Sequence, residues 1–443
     1  MKKLGLGIIA LLVVGAIYYF TAGSEQITAE IKKQVNSKLT SIQKEGFSVQ
    51  NREIKEASEH FILSFDNPKK IVQFFSHQGI QTNVNDVQML KGLKVAVDIK
   101  YLADTYSAVS FDIYPVMLPT AITSATTSVE DKKLLTQVEK MLDQKIFIMH
   151  ISVNKLGNGF KGYMNDINKV LHGEKDIRLN MKGLTFFGGI KDNAISSIKQ
   201  DLKTLTMNIV DKIKLSFADI HSDYAITGKT PYDYTATYNM GKIDVSTNTA
   251  FNFTSNSLHI ESISRTNNGL VSGSLISTIK KISIKNKKQT YAFNTFVFET
   301  NASGLDISAF DKLQEINVNN RKEVNALIQQ MISKGVHFEI PKCSVASIES
   351  QGQQIDGFNI TAKVDVDKTF NIIALETNPM SALSAVDANL NITLSKGLFS
   401  EIKKIPQAML ALMVLQPKDK NGKKVFRIEL KKGKVTVNGM PIL

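Results

Sequence analysis

The chain has 443 residues and one cysteine, Cys343, so no disulfide can form within it and stability must come from packing. A small buried apolar side chain is the ordinary reading of such a cysteine. Clustered metal ligands are missing as well. The seven histidines stand at 60, 77, 150, 172, 221, 259 and 337, no two within four residues, which argues against a zinc site built on local spacing. Phosphate-binding loops are absent too. Gly157-Asn158-Gly159 and Gly188-Gly189 lack the Lys-Ser/Thr that must follow, and read as turns. His221-Ser222-Asp223 holds triad-type residues without triad context and reads as a polar strand end. With no Pro- or Gly-rich linker, domain boundaries are soft, and the best placed lie near residue 190 or 305.

Long apolar runs are scarce, and one exists. Leu4 to Phe20 carries no charge, follows Lys2 and Lys3, and closes on three aromatics. As a helix it reaches roughly 25 Å, or about 30 Å if extended through Gly23. The cationic pair favours a cytoplasmic N-terminus. The expectation is therefore an uncleaved single-pass anchor over residues 1–23, carried by Leu4, Ile8, Leu11, Val14, Ile17, Tyr18, Tyr19 and Phe20. The protein would sit in the inner membrane with its body in the periplasm. A cleaved signal peptide is the rival reading, but it places Phe20 or Thr21 where a small side chain is required. Ala408 to Leu415 is too short to span.

Net charge is +13, mostly from lysine. Lys280-Lys281, Lys285, Lys287-Lys288 and the stretch Lys418 to Lys434 are the densest zones. Outside the cytoplasm the partners this suits are anionic head groups, lipopolysaccharide or acidic glycans rather than nucleic acid; a solvated surface is the plain reading.

Periodicity organises the rest. Ile27, Ile31, Val35, Leu39 and Ile42 form one apolar stripe, which predicts a helix over 25–45, with Ser24 as N-cap and Gly46 as stop. A coiled-coil seam is the sharper reading of that stripe. From Phe47 the period changes to two. Leu93, Val95, Val97, Ile99 and Tyr101 alternate, as do Val109, Phe111 and Ile113. Helices are expected at 68–77, 128–142, 307–313, 322–332 and 398–415, the last interrupted or started by Pro406, and a helical turn at 166–171. Between about 190 and 300 strands dominate. Phe251 and Phe253, Tyr291 and Phe293, and Phe296 to Phe298 put aromatics on one face, which requires that face to be covered. A hairpin closes the chain, with turns at Lys432-Gly433 and Asn438-Gly439. Asp365 and Asp367 flank Val366 on one strand face and could bind Ca²⁺ or act as acid and base; a solvated face fits them better.

The arrangement resembles the YdgA-like family of Gram-negative bacterial proteins, whose biochemical function is unknown. The resemblance rests on Met1-Lys2-Lys3 and the span, the Ile27–Ile42 helix, the stretch from Leu258 through Leu275 to Phe298, and the end segment Gly433-Lys434-Val435-Thr436-Val437-Asn438-Gly439-Met440-Pro441. It implies an inner-membrane protein with a periplasmic domain and supplies no catalytic residues. The fold expected is α+β: a transmembrane helix, an amphipathic helix over 24–45, and a mostly antiparallel strand-rich body with packed helices over 46–443. The function expected is non-catalytic, without cofactor: binding a lipid or another envelope protein in envelope assembly or maintenance. An envelope hydrolase whose site converges only in three dimensions, and a scaffold oligomerising through the 25–45 helix, are the alternatives.

Overall fold

Strict alternation over long stretches, punctuated by tight turns, makes this chain mostly sheet. A computed structural model describes residues 27–442, apart from 78–86, 103, 127, 192–193, 288, 314–319, 351, 373–374 and 376–377. The chain divides into two units between Ile226 and Thr227.

The first unit holds β1 (Phe47–Ile54), β2 (Ser58–Phe65), β3 (Lys94–Tyr101), β4 (Ser107–Met117), β5 (Met149–Asn154), β6 (Gly159–Met164), β7 (Ile167–Leu171), β8 (Ile177–Lys182), β9 (Thr185–Lys191), β10 (Ala194–Ile209) and β11 (Ile213–Ile226). They pair antiparallel in the order β1-β2-β3-β4-β5-β6-β9-β10-β11, and β8, flanked by β7, shares the β9 edge of β10. One face of this sheet, from β1 to β6, packs into a buried core. Helix Ile27–Lys44 lays Val35, Leu39 and Ile42 against it, and helix Pro68–His77 adds Ile71, Val72 and Phe74. Beneath them Phe61, Ile99, Phe111 and Ile151 are each 1% exposed. At roughly 1.5–3 kcal/mol per fully buried large apolar side chain, this cluster dominates the unit's stability. It also takes in the Val35, Leu39 and Ile42 part of the helix's apolar stripe.

The second unit holds β12 (Tyr234–Thr247), β13 (Phe251–Asn267), β14 (Leu270–Asn286), β15 (Gln289–Asp306), β16 (Val336–Ser350), β17 (Gln353–Val366), β18 (Val386–Ser395), β19 (Lys418–Lys420), β20 (Lys423–Lys431), β21 (Lys434–Val437) and β22 (Met440–Pro441). It is an antiparallel meander, β12-β13-β14-β15-β16-β17-β18-β20-β21-β22, with β19 also on β20. Asn268-Gly269, Asn421-Gly422, Lys432-Gly433 and Asn438-Gly439 all have positive φ at both residues, the two-residue turn whose twist suits a hairpin.

Several expectations need correction. The fold is not α+β: strand exceeds helix 58% to 20%, and helices are satellites of antiparallel sheet. The physical reason is economy of connection, since strands of 14–18 residues joined by two- or three-residue turns leave little chain for a helical layer. The membrane anchor and the single-pass inner-membrane, periplasmic location are withdrawn. No helix among the described residues is long and apolar enough to cross a membrane, and Leu4, Ile8, Leu11, Val14, Ile17, Tyr18, Tyr19 and Phe20 lie outside the described residues. Locally, residues 166–171 give strand β7 instead of a helical turn, and Gly188-Gly189 lies inside β9 instead of ending it. The reason at Gly188 is crowding: a Cβ there would meet the Ser197 carbonyl oxygen at 2.1 Å and the Phe160 ring at 2.5 Å. The 398–415 helix is interrupted at Pro406, as that proline predicts, into Lys396–Ile402 and Pro406–Val414.

Candidate functional site

On the solvent face of the first sheet the register places His60 opposite Asp98, Asp98 opposite Asp112, and Asp112 opposite His150. Two carboxylates directly opposite each other repel. Each is held by an imidazole: His60 Nδ1 lies 2.6 Å from Asp98 Oδ1, and His150 Nδ1 lies 2.6 Å from Asp112 Oδ1. Lys145 Nζ stands 3.5 Å from the other Asp98 oxygen. Burial pushes the Asp98 carboxyl up, but hydrogen bonds from His60 and Tyr114, with the Lys145 charge, outweigh it and hold it below the usual carboxylate range. His60, Asp98 and Asp112 line a cleft of about 280 Å³ with Lys55, Lys100 and Glu59. Glu59 faces the other way, clamped by Arg52 at 2.6 Å and by the Tyr101 hydroxyl at 2.9 Å. A hydrolytic centre of the Ser-His or Cys-His kind places its nucleophile on the imidazole. Among the described residues no serine, threonine or cysteine is within hydrogen-bond distance of His60 or His150.

The second unit presents a different surface. Its sheet is sharply two-faced. On one side polar side chains bond across strands: Asn294 Nδ2 donates to Glu349 Oε1 (2.8 Å) and Ser347 Oγ (3.1 Å), Thr254 to Asp244 (2.9 Å), and Asn389 to Glu429 (3.2 Å). On the other, register aligns apolar residues in rows, such as Met240, Leu258, Ile279, Phe296, Val345, Phe358 and Leu394. A neighbouring row is Val245, Phe253, Ile284 and Tyr291. Unlike the core of the first unit, most of these stay half-buried, including Phe253, Ile279, Phe293, Phe296, Phe298 and Phe358. Two buried hydroxyls on this side, Ser255 Oγ and Thr300 Oγ1, have no hydrogen-bond partner.

A transverse crease keeps the rows on one side. In each of β12 to β17 one residue is skipped by the ladder: Gly241, Ser257, Lys280, Thr295, Ala346 and Gly357. Ser257 and Thr295 have φ of 54° and 53°. The apolar residues change parity at this line, from Phe251 and Phe253 to Leu258 and Ile260, and from Tyr291 and Phe293 to Phe296 and Phe298. A single alternating strand would send those two sets to opposite faces. The skipped residue restores them to one face. At Gly357 a Cβ would lie 1.9 Å from the Val345 carbonyl oxygen, so only glycine fits.

The residues singled out by sequence do not converge. Asp365 pairs with His337 (2.6 Å), while Asp367 accepts from the backbone and hydroxyl of Thr369. His221 pairs with Asp201, and Asp223 with Lys199 (2.8 Å). Gly157 and Asn158 turn β5 into β6, fastened by the Asn154 side chain. Cys343 stands between Phe298 and Ile360 in a row of the apolar side, and burial pushes its thiol up, away from nucleophilic use. Among the described residues no three His, Cys, Asp or Glu side chains meet to hold a metal. The crease was missed by sequence, although the parity change between Phe293 and Phe296 is its signal. No known family, curated protein or solved structure matches the chain.

Proposed function

We propose that the second unit binds an elongated apolar or amphiphilic ligand of the acyl-chain class along the apolar side of β12–β18, and that it does so without catalysis. The observation that carries this reading is the incomplete burial of an aligned set of large apolar side chains on a sheet whose other side is polar and bonded. Contiguous apolar patches left open to solvent on a folded protein mark binding surfaces. Each acyl methylene taken out of water there contributes about 0.8 kcal/mol. The test is native mass spectrometry of the gently purified full chain. Added mass matching fatty acid or phospholipid supports the reading; a bare chain that also takes up no fatty acid on incubation sinks it.

A further inference from the structure

One end of that apolar side lies under the two C-terminal helices. Ser395 caps helix Lys396–Ile402 by accepting from the Leu398 N–H at 3.1 Å, and Phe399 packs on Phe426 with ring centroids 6.3 Å apart. Leu412 and Leu415 join the same cluster, with Phe358 and Ile392. Helix Pro406–Val414 has Gln407 as its one polar side chain. A helix apolar all round is normally buried. Here Met409 is 47% exposed, and Ile405, just before the helix, is 50% exposed.

The same stretch of chain is rich in positive charge. From Lys396 to Lys424 the chain has seven lysines against Glu401 and Asp419. Both carboxylates are already engaged, Glu401 by Lys404 at 2.6 Å and Asp419 by Lys424 at 2.7 Å. Lys396 acts on Asp419 as well, so its charge belongs to the same patch. Lys403 and Lys424 stand 5.6 Å and 5.4 Å from the Phe399 ring centroid. Among the described residues no carboxylate lies within salt-bridge distance of Lys396, Lys403 or Lys423. Exposed aliphatic tips beside unmatched cations are complementary to an anionic lipid surface: head groups meet the cations while the tips enter the acyl layer.

We infer that this end of the second unit docks peripherally on an anionic lipid surface, with Ile405 and Met409 inserted and Lys396, Lys403 and Lys423 facing the head groups. The inference rests on the acyl-chain reading, for which this end is the port of entry. It requires no spanning segment.

The test is co-sedimentation of the full chain with vesicles of phosphatidylcholine alone and of phosphatidylcholine mixed with phosphatidylglycerol. The wild type should sediment with the mixed vesicles and not with the neutral ones, and added salt should weaken binding. The double substitution Ile405→Ser/Met409→Ser should reduce binding about ten-fold or more, at ~0.8 kcal/mol per methylene withdrawn. Lys403→Gln, at an exposed position that bears on no fold contact but the Phe399 ring, should reduce it about five-fold. Equal binding to both vesicle types, or no change in the variants, overturns the inference. Titration of the same variants with a water-soluble fluorescent fatty acid separates the two readings. Loss of that titration with vesicle discrimination intact counts against the acyl-chain reading alone.

Discussion

Three residues carry more than their size. Asp233 is buried and accepts four hydrogen bonds, from the backbone and hydroxyl of Thr230 (3.0 and 2.8 Å) and of Thr266 (2.6 and 2.8 Å). Burial pushes its carboxyl up, but those bonds outweigh it and hold the pKa down to about 2. A carboxyl depressed in the folded state stabilises above its unfolded value and loses that contribution as pH falls toward the folded one. Between about pH 4 and pH 2 the second unit should therefore lose on the order of 2 kcal/mol through this group. Urea midpoints at pH 6 and pH 3 check the sign, and Asp233→Ala should flatten the difference. Gly357→Ala forces a Cβ onto the Val345 carbonyl and should cost about 2–3 kcal/mol, read from the same midpoints. Ser255→Ala removes a buried hydroxyl that has no partner and should raise the stability of the ligand-free protein by about 1 kcal/mol. Sequence flagged none of the three. Aspartate, glycine and serine in a polar strand-rich region look like ordinary turn and surface residues until the register shows what faces them.

At the scale of elements, much was legible where periodicity was strict and local. The stripe through Val35, Leu39 and Ile42 gave the 27–44 helix, and the alternation from Leu93 to Tyr101 gave β3. Ser128 caps helix Val129–Asp143 by accepting from the Asp131 N–H at 3.0 Å, one residue from where the periodicity started it. The turns at Lys432-Gly433 and Asn438-Gly439 were visible, yet Asn268-Gly269 and Asn421-Gly422 carry the same chemistry and passed unread. What was hidden is non-local. Whether Phe293 and Phe296 share a face depends on a residue between them adopting positive φ, which neighbouring strands enforce. Thr295 is β-branched and holds φ at 53°, a strained state for such a side chain. Thr295→Gly should relieve that strain and stabilise by about 1 kcal/mol, whereas Thr295→Val should not. Thermal denaturation of the two variants decides it. A lower melting point for the glycine variant would mean the crease is not strained.

At the scale of the molecule, the two units treat the same kind of sheet differently. In the first, helices help bury one face of β1 to β6, and the other bears paired histidines and aspartates. In the second, one face is bonded and polar, and the other is apolar with most of its large side chains half-buried. Composition foresaw aromatics on one face and the need to cover it. It could not foresee that the C-terminal helices cover one end of that side. The expected anchor misdirected the reading of location because one apolar run was allowed to place the whole chain. The central claim is that the apolar side of the second unit takes an acyl chain. Fluorescence titration of the full chain with a dansyl-labelled fatty acid tests it most directly, beside the double substitution Phe293→Glu/Phe296→Glu. Burial of about ten methylenes makes a micromolar Kd the expected order. The account predicts saturable binding of that order in the wild type and its loss in the variant, with the far-ultraviolet spectrum unchanged. Absence of saturable binding, or equal binding by the folded variant, would contradict it.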